Sequence, residues 1–135
     1  MKLSALIVAA SVLSFAGAAA HTADKVDKDT QESEAKLAHK LEGRTAGEPV
    51  SCIPLQRLNE LEVIYGVALV YETGDIIYVS RPTHPEDLRR NDVVIIDRHT
   101  SQLCNSDVIK TVDRDVGYVT GVLFLGKFVP YKKPG

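Results

Sequence analysis

The stretch Glu62-Val63-Ile64-Tyr65-Gly66-Val67-Ala68-Leu69-Val70-Tyr71-Glu72, then Thr73-Gly74-Asp75, then Ile76-Ile77-Tyr78-Val79-Ser80-Arg81-Pro82, decides the fold. Both apolar runs are rich in β-branched and aromatic side chains, which suit a pleated, half-buried surface. Two such runs across a three-residue connection containing glycine predict a β-hairpin. Pro82, His84 and Pro85 end the second run. Pro85-Glu86-Asp87-Leu88-Arg89-Arg90 can then form one helical turn, with proline early and arginines late as the helix dipole favours.

Towards the C-terminus, Val93–Asp97 reads as a third strand and Asp107–Asp113 as another, with Val108, Lys110 and Val112 alternating weakly. Tyr118–Tyr131 supplies one long strand or two short ones bent at Gly121 or Gly126. Roughly five or six short strands separated by turns predict a mainly β domain over residues 50–132. The expected form is a small antiparallel curled sheet or partly open barrel.

Towards the N-terminus, residues 21–49 are polar and charge-mixed, the composition of a solvated extension. Within it, Asp29 or Thr30 can cap a helix that places Leu37, Ala38 and Leu41 on one stripe and ends at Gly43. The stripe is narrow and alanine-rich, so the expectation is a frayed helix or disorder that docks weakly if at all. Residues 1–20, MKLSALIVAASVLSFAGAAA, have the order of a secretory signal peptide: a lysine, an apolar run, then small residues with Ala18 and Ala20 at the cleavage positions. The apolar run is too short for a membrane anchor, and no cysteine at the cut invites a lipid. A periplasmic or secreted chain starting at His21, with no stable membrane insertion, is expected.

Sixteen basic and 18 acidic residues give a net charge of −2 over 135 residues, and losing Lys2 with the leader makes the balance one unit more negative. That balance carries no nucleic-acid footprint. The chain has no tryptophan and 6% aromatic residues, too few for a stacking platform for sugars or single strands.

Both cysteines, Cys52 and Cys104, lie in the mature part. An even count in an oxidising compartment reads as a disulfide. In the chain-entropy picture, closing that loop contributes up to about 4 kcal/mol, enough to matter in a small domain.

The rival reading of Arg98-His99-Thr100-Ser101-Gln102-Leu103-Cys104 is a thiol enzyme or hydrolase with Cys104 as nucleophile and His99, or else His84, as base. Cys52 as an oxidising partner weighs against it. His21, His39, His84 and His99 lack metal-ligand spacing, although His21 at a mature N-terminus has the groups to chelate copper. A mobile tail preorganises no such site, so no metal and no cofactor is expected. Asp113-Arg114-Asp115-Val116-Gly117 begins like a calcium loop but lacks the remaining ligands, and a tight turn explains it. Asp97, Arg98, His99, Asp107 and Arg114 could form a polar pocket for a small anionic ligand, against the plainer reading of surface ion pairs. No Ser-His-Asp order or phosphate-cradling loop is present.

Cys52-Ile53-Pro54-Leu55, Ser101-Gln102-Leu103-Cys104, Asp107 and the closing Gly126-Lys127-Phe128-Val129-Pro130-Tyr131 are similar to a family of small exported bacterial proteins of unknown function. The resemblance covers residues 48–132. It implies a secreted β-rich domain with Cys52 and Cys104 paired, and no catalytic residue. Asp107 can accept from backbone amides in the turn at Cys104, a purely architectural role. The expected function is therefore non-enzymatic, an interaction or envelope-maintenance role with an unidentified protein partner. The alternatives are a small-ligand or metal-binding module and the thiol enzyme.

Overall fold

The computed structural model describes residues 20–56 and 60–135; the expected signal peptide lies, apart from Ala20, outside them. A helix, α1 (Ala20–Lys40), opens the described chain. Ten strands follow: β1 (Thr45–Ala46), β2 (Cys52–Pro54), β3 (Leu61–Ile64), β4 (Ala68–Thr73), β5 (Ile76–Ser80), β6 (Asp92–Ile96), β7 (Gln102–Cys104), β8 (Ile109–Asp113), β9 (Val119–Leu123) and β10 (Val129–Lys132). A 3-10 turn, Pro85–Asp87, sits where the proline and the acidic residues predict one.

The strands form three sheets, ordered β1-β10-β5-β4-β3, β2-β7 and β6-β8-β9, and every pairing is antiparallel. The mainly β, antiparallel expectation therefore holds, with more and shorter strands than five or six and without closure into a barrel. The deciding stretch makes two hairpins rather than one. Gly66, at φ +71°, breaks the first run into β3 and β4, and Gly74, at φ +56°, turns β4 into β5. Both positions lie in the left-handed region that side chains with a Cβ avoid. The long closing run likewise divides into β9 and β10.

Strand β4 is buried on both faces. Leu69 and Tyr71 point into a core with Ile53, Leu55, Leu103, Ile109, Leu123 and Phe128, between the sheets. Ala68 and Val70 point the other way, with Ile64, Val67, Ile77 and Val79, against Leu37 of α1. This corrects the expectation of a weakly docked extension. The helix runs 21 residues and anchors itself through Leu37, which is only 2% exposed, supported by Leu41. One fully buried leucine in a deep apolar bed outweighs the narrowness of the stripe, since complete burial of a leucine is worth about 1.5–3 kcal/mol.

Ion pairs fix α1 along the same surface. Arg81 grips Glu34 with two hydrogen bonds, at 2.6 and 2.9 Å. Lys36 and Lys40 reach Glu62 of β3 at 2.6 and 3.1 Å, and Lys40 also reaches Glu72 at 3.3 Å. The Arg81 hydrogen bonds hold the Glu34 carboxyl below its ordinary range, and the Lys36 hydrogen bond does the same for Glu62.

Candidate functional site

Strands β2 and β7 pair so that Cys52 stands directly opposite Cys104, with their sulfurs bonded. Cys104 thus has no free thiol to offer His99, and His84 is engaged with Glu86 at 3.2 Å. Asp107 Oδ2 accepts a hydrogen bond from the Cys104 amide at 2.7 Å, the architectural role read from the sequence. Arg98 donates to the carbonyl oxygens of Leu55 and Thr100, bracing the chain that follows β2.

Of the five residues read as a polar pocket, Arg114 stands apart from the rest. Register places Asp92 beside Asp113 and Ile96 beside Ile109, so Arg114 lies at one end of the β6-β8-β9 sheet and Asp97 and Asp107 at the other. Four strand residues separate those ends, about 13 Å. His99 is exposed. The Asp113–Gly117 segment is a turn: Asp113 Oδ1 accepts from the amides of Asp115 and Val116 at 2.9 and 3.0 Å, and Gly117 sits at φ +76°. Those amides, Val116 first, lower the Asp113 pKa. Among the described residues, no group of three His, Cys, Asp or Glu side chains is placed to hold a metal ion.

What stands out instead is a surface. All the large apolar side chains left exposed among the described residues, apart from Val26 and Val50, belong to β6, β8, β9 or their flanks. Side chains alternate between sheet faces. The inner set, Val94, Ile96, Ile109 and Leu123, packs on the main core. The outer set forms rows across the strands: Val93, Val112 and Val119, then Ile95, Lys110 and Val122, with Val108 and Phe124 beyond. Ile95, Val108, Val119, Val122 and Phe124 are exposed, Phe124 by 64%. Lys110 is the one charged member of these rows. The hairpin between β8 and β9 adds exposed Val116 and Tyr118 at the sheet's end.

The sheet that carries this face is pinned from within. A bulge at Thr111/Val112 turns Thr120 inward, where its hydroxyl donates to Asp92 at 2.7 Å and lies 2.9 Å from Thr111 Oγ1. The sequence reading saw Val108, Lys110 and Val112 as a weak alternation; the buried face of β8 is instead Ile109 and Thr111. A signal was present in the strings Val93-Val94-Ile95-Ile96 and Val122-Leu123-Phe124-Leu125, which are apolar at every position and so cannot hide all their side chains on one face.

A concavity of about 460 Å³ lies between α1 and the chain turns beside it, walled by Val26, Tyr65, Pro85 and Leu88. The Arg90 guanidinium stands 5.7 Å above the Tyr65 ring at its edge.

No protein-family model, curated protein or solved structure matches the chain.

Proposed function

We propose that this is an exported, periplasmic or secreted β-domain that works by binding another protein chain through the outer face of the β6-β8-β9 sheet, and that it is not an enzyme. The exposed apolar rows of that face carry the reading. Soluble monomeric proteins rarely leave a contiguous apolar patch of that extent, and those that do use it for contact. The disulfide between Cys52 and Cys104 suits an oxidising compartment. Among the described residues no helix is long and apolar enough to cross a membrane.

Site-specific photo-crosslinking in the producing cell tests this reading. A photoreactive residue at position 122 or 124 should give a discrete protein adduct identifiable by mass spectrometry, while the same group in place of exposed Ala35 on α1 should not. Equal labelling at all three positions, or none, would overturn it.

A further inference from the structure

The geometry points to a second copy of this chain as the partner that covers the outer face of β6-β8-β9, giving a two-fold dimer in which the two sheets stack face to face. This inference rests on the binding reading above and names its occupant.

Three observations carry it. The first is the strand pattern. Strands that face solvent on one side alternate apolar and polar residues, whereas strands covered on both sides read as continuous apolar runs. Val93-Val94-Ile95-Ile96 and Val122-Leu123-Phe124-Leu125 are of the second kind, yet the described residues cover only one of their faces. A pleated face of branched apolar side chains is complementary to another such face at the spacing of stacked sheets, about 10 Å.

The second is extent. The exposed apolar residues of the face, Ile95, Val108, Val119, Val122 and Phe124, lie on or beside all three strands, so two copies stacked face to face would cover the whole row set on both at once.

The third is charge. The face holds one cation, Lys110, and by the two-residue alternation along β6 one carboxylate, Asp97, stands on its margin beyond Ile95. Among the described residues neither side chain has an ion pair or hydrogen bond. Asp97 and Lys110 are diagonal neighbours across β6 and β8, and their side chains are left unpaired with each other. An isologous contact presents each group to its counterpart on the other copy, so that Lys110 of one meets Asp97 of the other twice over. Lys110 can reach the margin because its stem lies along apolar surface while its ammonium extends to the rim.

The test is sedimentation equilibrium of the purified, oxidised chain across a micromolar concentration range. The expected result is a dimer. Val122→Lys and Phe124→Asp should each weaken it at least ~10-fold, as loss of a central apolar contact does. Lys110→Asp and Asp97→Lys should each weaken it by a few-fold, and the doubly exchanged chain should recover most of the loss, as coupled charges require. All four positions are on the surface, so an unchanged thermal melt of the monomer separates lost pairing from lost folding. A monomer at every concentration, or a dimer indifferent to all four substitutions, overturns the inference. If the chain is monomeric but crosslinking at positions 122 and 124 yields a different protein, the second copy is excluded and the binding reading stands. If crosslinking yields nothing, both fall.

Discussion

Arg81, just beyond β5, holds Glu34 of α1 through both of its terminal nitrogens, at 2.6 and 2.9 Å, so that a helix from the polar N-terminal segment is tied to the sheet 47 residues downstream. The pairing is bidentate, the geometry in which a guanidinium and a carboxylate fit best. Its energetic worth is still small, because both side chains are about half exposed.

That tie makes α1 docking sensitive to acid. Glu34 and Glu62 both have their pKa values lowered in the folded chain, so the stability they contribute is present above the ordinary glutamate value of 4.5 and is lost as pH falls through their lower folded values. At neutral pH, Glu34→Gln should lower amide protection along α1 by about twofold, corresponding to roughly 0.5 kcal/mol, with little effect on the strands. As the pH falls through the lowered folded value of Glu34, the difference between wild type and variant should vanish, since the wild-type carboxyl is then protonated and uncharged like the glutamine. Hydrogen exchange followed by mass spectrometry reads both effects. Leu37→Ala should free the helix far more, at about 2–5 kcal/mol of local stability.

The Cys52–Cys104 bond closes a loop of 52 residues between two three-residue strands. Reducing it, or replacing both cysteines by serine, should lower the unfolding free energy by up to about 4 kcal/mol. The loss should appear as a lower urea midpoint. Ile53 and Leu103, both fully buried next to the bridge, should become accessible early in the transition.

Asp92 is 7% exposed and receives the Thr120 hydroxyl. Thr120→Val keeps the shape of the side chain but removes that donor, which should cost about 1–3 kcal/mol because a buried acceptor is left short of a partner. Thr120→Ser should cost less, as it keeps the hydroxyl. Comparing urea midpoints of the two variants separates the hydrogen bond from the packing.

A Cβ added at Gly126 would lie 2.7 Å from the Arg81 carbonyl oxygen, the same oxygen that accepts the Gly126 amide at 3.0 Å. Gly126→Ala should therefore destabilise the domain by about 1–3 kcal/mol. Gly135→Ala, where nothing lies within 4 Å, should leave the thermal melt unchanged.

The hairpin at Gly74, the 3-10 turn at Pro85, the turn at Asp113 and the break near Gly126 were legible because each depends on residues adjacent in sequence. So was the cysteine pair, since two cysteines admit only one pairing within the chain. The docking of α1 was not legible, because it rests on where Leu37 finds Ile64, Ala68 and Val70, residues whose outward face no local pattern reveals. The place of Arg114 in the polar cluster with Asp97, Arg98, His99 and Asp107 was not legible for a related reason. Nearness in sequence around Cys104 says nothing about the β6–β8 register, which sets Arg114 at the far end of the sheet. The apolar face was hidden by its own composition. A strand apolar at every position does not say which side is inside, and only the packing of Val94, Ile96, Ile109 and Leu123 decides it.

The last strand, β10, lies between β1 and β5 rather than at an edge. A chain made N-terminus first therefore can complete its hairpins β3-β4-β5 while the position beside β5 is still vacant, and β1, whose register is with β10 alone, waits without a partner. The domain locks only when its final residues arrive. Until then an unpaired strand edge is open to other chains, so the order of emergence, more than the stability of the finished fold, sets the interval in which a holdase would be needed.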